Sequence, residues 1–178
     1  MDEAGFAPVA AVLAKIGLSE SELDRILAED RKSRFERRGD RVRAVQGHSL
    51  EGTPVTMHGL EASWQRWEGD ELLWHGTTLT AALSIARVGA LAMSRTHVHL
   101  APTPDSRVGK RAQVEVLLGV SPEVLRTHAQ PVWRSPNGVL LVREVPAAAV
   151  VAMRAGRRGV ALDELAAAFG VVAKIFDT

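Results

Sequence analysis

The chain has 178 residues, of which 46% are hydrophobic and 24% charged, enough to bury the core of one large domain or of two small lobes. It contains no cysteine, which excludes disulfides and thiolate chemistry and fits a reducing cytoplasm. No apolar run approaches the length needed to cross a bilayer, and the acidic start Met1-Asp2-Glu3 lacks the basic region of a secretory signal.

The net charge of +1 hides an uneven distribution. Residues 1–30 carry seven acids (Asp2, Glu3, Glu20, Glu22, Asp24, Glu29, Asp30) against Lys15 and Arg25. Residues 31–43 carry seven bases (Arg31, Lys32, Arg34, Arg37, Arg38, Arg41, Arg43) against Glu36 and Asp40. Such a run suits a polyanion, and it equally suits a solvated basic loop.

In chain order, Val9, Val12, Leu13 and Ile16 recur at helical spacing until Gly17. Ser19 and Glu22 form a capping-box pattern that opens a second helix through Leu23, Ile26 and Leu27. Alternation over 41–45 predicts a strand with Arg41 and Arg43 on one face and Val42 on the other. Two short helices and a basic strand resemble a small winged-helix-like lobe. Residues 50–70 are mixed, with Gly52, Pro54, Gly59 and Gly69, and are expected to contain the join between lobes.

From Leu72 the pattern changes. Leu72, Leu73 and Trp74 predict a strand ending at Gly76. Thr78 or Thr80 caps a helix carrying Ala82, Leu83, Ile85 and Ala86, which Gly89 ends. Short strands are predicted at 95–101, 113–120, 131–133, 138–143 and 149–153, and a terminal helix over 162–169. Many short strands with few helices predict an α+β lobe built mainly on antiparallel strands. Neither GxGxxG nor GxxxxGK[ST] occurs, so the Rossmann and P-loop routes to nucleotide binding are unsupported. There are no repeats.

Three groups of residues can carry chemistry. Along Ser94-Arg95-Thr96-His97-Val98-His99-Leu100, strand alternation puts Arg95, His97 and His99 on one face. Burying those side chains requires a partner such as an anion or a sugar hydroxyl, whereas an exposed edge strand would need none. In His75-Gly76-Thr77-Thr78 the glycine allows a ligand close to the backbone, while the threonines contact a ligand or cap the next helix. Arg43-Ala44-Val45-Gln46-Gly47-His48-Ser49 is a basic strand running into a turn, or an ordinary hairpin corner. His48, His75, His97 and His99 lack the cysteine, HExxH motif or adjacent carboxylate that would complete a metal set, so no metal is expected.

Taken in order, these groups resemble the RNA 2′-phosphotransferase family. The resemblance also rests on Asp2-Glu3-Ala4-Gly5-Phe6-Ala7-Pro8-Val9, Asp30-Arg31-Lys32-Ser33-Arg34-Phe35 and Leu73-Trp74 before His75. Fainter echoes lie at 108–111 and at Trp133-Arg134-Ser135-Pro136-Asn137-Gly138-Val139, with Pro146 in the family's late Val-Pro. It spans roughly residues 2–150. The resemblance implies a winged-helix-like RNA-binding lobe over 1–65, incomplete at its N-terminus, and an ADP-ribosyltransferase-like NAD-binding lobe over 66–178. It implies NAD⁺ as co-substrate and RNA bearing a splice-junction 2′-phosphate as substrate. The phosphate attacks the nicotinamide ribose and expels nicotinamide; the ribose 2″-hydroxyl then attacks phosphorus and releases ADP-ribose 1″,2″-cyclic phosphate.

By the same resemblance, Arg43 and Arg95 are catalytic and clasp the phosphate, and His75, Gly76, Thr77 and His99 hold NAD⁺. Lys32, Arg34, His48 and His97 contact nucleic acid or phosphate. The family carries an Arg-His pair ahead of the point where this chain begins, and no later Arg-His dipeptide replaces it. Either the natural start lies upstream of Met1, or the phosphate-binding set is reduced and the second step impaired. Two alternatives remain at this stage: capping of a terminal RNA or DNA phosphate with ADP-ribose, and a non-catalytic binding module. No membrane and no obligate protein partner is expected. Residues 151–178, with Arg154, Arg157 and Arg158, extend past the resemblance as a terminal helix or an extra basic patch.

Overall fold

The computed structural model describes residues 1–106, 114–156 and 162–170. The sequence features at 108–111, and Arg157 and Arg158, fall outside them. The chain forms two compact units. The first comprises residues 1–65 with 94–96 and 135–137; the second comprises 66–93, 97–134 and 138–178. Both are mixed α and β with small antiparallel sheets. Among the described residues no helix is long and apolar enough to cross a membrane.

In the first unit, β1 (Ala7–Pro8) leads into α1 (Val9–Ile16) and α2 (Glu20–Glu29), and a hairpin of β2 (Phe35–Arg38) and β3 (Arg41–Ala44) follows. The first N–H of α1 has no side-chain cap and donates instead to the Asp40 carbonyl at 2.7 Å, and α1 ends on a left-handed Gly17. The capping box of α2 is complete: the Ser19 hydroxyl accepts from Glu22 N–H, and the Glu22 carboxylate accepts from Ser19 N–H. The Ser19 N–H, joined by the Ser19 hydroxyl, holds the Glu22 carboxyl below its ordinary pKa. Val9, Leu23 and Val42 form the core under α1 and α2. The sheet order is β1-β3-β2. β3 forms as expected and is covered on both faces at its centre, where Val42 and Arg43 are both buried. A short α3 (Met57–Ala62), capped by Thr56, lies in the stretch expected to contain the join.

In the second unit, β4 (Gln65–Arg66) precedes β5 (Leu73–Thr77), α4 (Leu79–Val88), β6 (Ala90–Leu91) and β7 (Val98–Leu100). Then come β8 (Val116–Val120), α5 (Pro122–Thr127), β9 (Trp133–Arg134), β10 (Leu140–Val142), β11 (Glu144–Val145), β12 (Val150–Ala155) and α6 (Asp163–Phe169). Three sheets result, with orders β12-β8-β5, β4-β9-β10-β7 and β11-β6. A bridge between Trp74 and Ala101 brings β5 beside β7. Thr78, rather than Thr80, caps α4. β8 is buried at every position and runs through the main core with Leu73, Leu100, Leu140, Val142 and Met153.

The strand expected over 95–101 is shorter. Pairing begins at Val98, because the Thr96 N–H donates to the His48 carbonyl at 3.2 Å and residues 94–96 belong to the first unit. Arg95 therefore does not share a strand face with His97 and His99.

Candidate functional site

The candidate residues fall into two sets, one in each unit: Lys32, Arg34, Arg43, His48 and Arg95 in the first, and His75, Gly76, Thr77, His97 and His99 in the second.

In the first unit Arg43 is the best-ordered cation. Glu36 lies directly opposite it in the β2–β3 register, the arrangement in which cross-strand charges meet. Arg43 Nε donates to Glu36 Oε2 at 2.8 Å, and Nη1 donates to the Ala4 carbonyl at 2.9 Å and to Ser63 Oγ at 2.7 Å. The guanidinium lies 4.4 Å from the centre of the Phe6 ring. Nη2 is 2.7 Å from Glu36 Oε2, close enough for ionic attraction, yet it is buried without an aligned hydrogen bond. A buried donor left in that state is a place where a ligand acceptor would be stabilised.

His48 folds back over the end of β3, its Nε2 2.9 Å from the Ala44 carbonyl. Gly5 has φ +86, and a β-carbon there would stand 2.5 Å from His48 Cε1, so only glycine leaves room for this ring. Burial lowers the imidazole pKa below its ordinary value; the Ala44 carbonyl pulls the other way, and the charge on Arg43 adds to the lowering. Arg43 lies close enough to His48 for its charge to be felt there, and the Thr96–His48 backbone bond places the segment that carries Arg95 beside the same turn.

The basic run pairs mostly with the acidic segment before it and in part with its own Glu36. Arg34 binds Asp30, Arg37 binds Glu20 and Asp24, Arg38 binds Glu36, and Arg41 binds Asp2. The hydrogen bond that Arg37 donates to the Glu20 carboxylate is the main reason the Arg37 pKa is raised.

In the second unit His75 Nδ1 lies 3.1 Å from the His99 carbonyl, so β5 and β7 hold the two imidazole-bearing residues side by side. Gly76 is needed for packing: a β-carbon would stand 2.8 Å from Val114 Cγ2. The side of the α-carbon on which a β-carbon would stand is thus occupied by a valine. Thr77 is buried, and its carbonyl accepts from Glu115 N–H at 3.0 Å, while Glu115 Oε2 accepts from Leu79 N–H at 3.1 Å. The fully buried His97 meets Trp133 edge-on, with ring centres 5.7 Å apart. Among the described residues, no three His, Asp or Glu side chains converge as a metal-binding group.

Sequence reasoning missed Glu36, Ser63, Glu115 and Trp133. Glu36 was within reach, because Gly39-Asp40 marks a tight hairpin turn and pairing residues about it sets Glu36 against Arg43. The other three are brought in by segments remote in sequence, with no local signal.

Residues 1–144 match the family described as RNA 2′-phosphotransferase, Tpt1 / KptA family. Similar proteins include three, each named probable RNA 2′-phosphotransferase. The one from Pseudomonas syringae pv. tomato is 33% identical over 155 residues, covering 82% of this chain and 79% of the relative. The one from Burkholderia lata is 35% identical over 158 residues, covering 83% and 77%. The one from Streptomyces coelicolor is 30% identical over 152 residues, covering 82% and 79%. The chain belongs to the RNA 2′-phosphotransferase family.

Proposed function

We propose that this protein is an NAD⁺-dependent RNA 2′-phosphotransferase, with a winged-helix-like RNA-binding lobe over 1–65 and an ADP-ribosyltransferase-like lobe over 66–178. The observation that carries the reading is membership of the family across residues 1–144. Two structural features support it. The arginine set and the imidazole set sit on separate units, as expected if one receives the RNA phosphate and the other the nucleotide. The small antiparallel sheets of the second unit accord with an ADP-ribosyltransferase-like lobe.

The residues of the second unit suit a dinucleotide. The imidazoles of His75 and His99, on strands that meet where His75 Nδ1 faces the His99 carbonyl, offer the mixed donor and acceptor character that ribose hydroxyls need, and Thr77 lies at the end of the His75 strand. When bound, NAD⁺ supplies a ribose whose anomeric carbon is electrophilic and nicotinamide as leaving group. The RNA phosphate is already an anion, so the protein's task is to position it and stabilise charge rather than to remove a proton.

Arg43 Nη2 and the Arg95 guanidinium hold the phosphate oxygens. His48 contributes to the surrounding wall, and Lys32 and Arg34 belong to the nucleic-acid side. Because Arg43 has three N–H groups fixed by Glu36, Ala4 and Ser63, its remaining donors are preorganised.

The test is incubation with NAD⁺ and an RNA bearing one internal 2′-phosphate, followed by mass analysis of both products. Loss of the phosphate together with ADP-ribose 1″,2″-cyclic phosphate is the expected result. RNA that gains ADP-ribose and keeps its phosphate would replace this reading with capping. No reaction and no NAD⁺ binding would overturn it.

A further inference from the structure

The first unit contains a basic turn whose cations are left over when the ion pairs are assigned. Five of the seven bases in 31–43 are matched to carboxylates: Arg34, Arg37, Arg38, Arg41 and Arg43. The other two, Arg31 and Lys32, are exposed and have no ion-pair partner among the described residues.

The turn that carries them is built from both sides. The Asp30 side chain is 4% exposed. It accepts from Lys32 N–H at 3.2 Å, Arg34 N–H at 2.6 Å and Arg34 Nε at 3.0 Å. Burial alone would raise the Asp30 pKa, but these donors outweigh it and hold the carboxyl below its ordinary value. From the opposite side Asn137 Nδ2 donates to the Lys32 carbonyl at 3.0 Å. The buried Ser135 hydroxyl donates to Asn137 Oδ1 at 2.8 Å and so fixes which way the amide points. Asp30, Ser135 and Asn137 thus hold the backbone while Arg31 and Lys32 project their charges to solvent.

We infer that Arg31 and Lys32 form a preorganised docking point for the phosphate backbone of the RNA outside the reacting nucleotide, and that Asn137 is its positioning residue. The inference rests on the RNA substrate proposed above. It changes the assignment there in one respect: Arg34, taken up by Asp30, orders the turn and does not bind RNA. Recognition at this turn is sequence-independent, because two flexible cations read charge rather than base edges. Holding the backbone in advance reduces the ordering cost of binding.

The experiment compares two substrates, a long single-stranded RNA with one internal 2′-phosphate and a 2′-phosphorylated dinucleotide that has no flanking backbone. The expected result for Arg31→Ala/Lys32→Ala is a rise of roughly tenfold in KM for the long RNA at moderate salt, with the dinucleotide little affected. The slope of log affinity against log salt should fall by about 0.7 for each single-strand phosphate that the variant no longer neutralises. Asn137→Ala should give part of the effect alone and nothing further in the Arg31→Ala/Lys32→Ala background; an additive loss would remove it as a positioning residue. Unchanged KM and salt slope for the long RNA would overturn the proposal, as would equal damage to both substrates with a lower melting temperature. If the unaltered protein acts on neither substrate, the RNA-phosphotransferase reading itself fails, which is a separate outcome.

Discussion

In the first unit, polar side chains mostly satisfy one another. The bases of β2, β3 and the preceding turn meet the acids of α2 and the N-terminal segment, and one carboxylate, Glu36, serves both Arg38 and Arg43. In the second unit, the candidate polar side chains are set into an apolar frame of buried strands. His97 stands against Trp133, His75 beside the His99 carbonyl, and Thr77 against Glu115. A dense cluster of charges is therefore a poor guide to where an anion binds, since its members neutralise each other. An incompletely satisfied donor such as Arg43 Nη2, or an unmatched pair such as Arg31 and Lys32, is the better guide.

The contrast can be broken most severely at Arg43. Arg43→Ala is expected to lower 2′-phosphate removal by about 100- to 1000-fold, measured in single-turnover experiments with NAD⁺. It also leaves Glu36, mostly buried, with only the more exposed Arg38 as partner, so the melting temperature falls. Adding Glu36→Gln should recover stability while turnover stays low, because the lost stability reflects an uncompensated charge and the lost rate a missing phosphate donor. Recovery of both together would show that Arg43 acts only in folding.

The second unit should respond to volume rather than to charge. Gly76→Ala forces a methyl group against Val114 Cγ2 and is expected to cost about 1–3 kcal/mol in urea unfolding. Val114→Ala in the same chain should relieve much of it. A tolerated Gly76→Ala would mean that the space beside the α-carbon is open to a ligand after all.

Acid should separate the units by a smaller margin. The folded-state pKa of His48 is lowered, so protonation favours the unfolded chain. Its contribution to stability is complete above the ordinary imidazole value of about 6.5 and is lost as pH falls from there through the folded value. Melting curves across that window should flatten in His48→Gln relative to the unaltered protein. The smallest expected effect is at Ser19: Ser19→Ala removes the N-cap of α2 at a cost of about 1 kcal/mol.

Much of the local structure was legible in the sequence. Helical spacing from Val9 to Ile16, the Ser19–Glu22 box, the Thr78 cap and the Gly89 stop each depend on neighbours within one or two helical turns. Strand positions from 131 onward were close but shifted, since short strands have little periodicity of their own and their ends are set by whichever strand they pair with. The continuous face expected for Arg95, His97 and His99 was not realised, because a backbone bond to His48 takes the chain out of the sheet before Val98.

The sequence by itself determined the chain's family, the residue types that bear on phosphate and nucleotide chemistry, and the helices that cap themselves. Those properties are written in contiguous motifs and in short-range hydrogen bonding. The tertiary structure decided which cations are neutralised and which are left to meet an anion. It also decided that Arg95 belongs with His48 in the first unit, and that Gly76 makes room for Val114. Each of these depends on groups far apart in sequence coming within a few ångströms, and Coulomb attraction and close packing act only at that range.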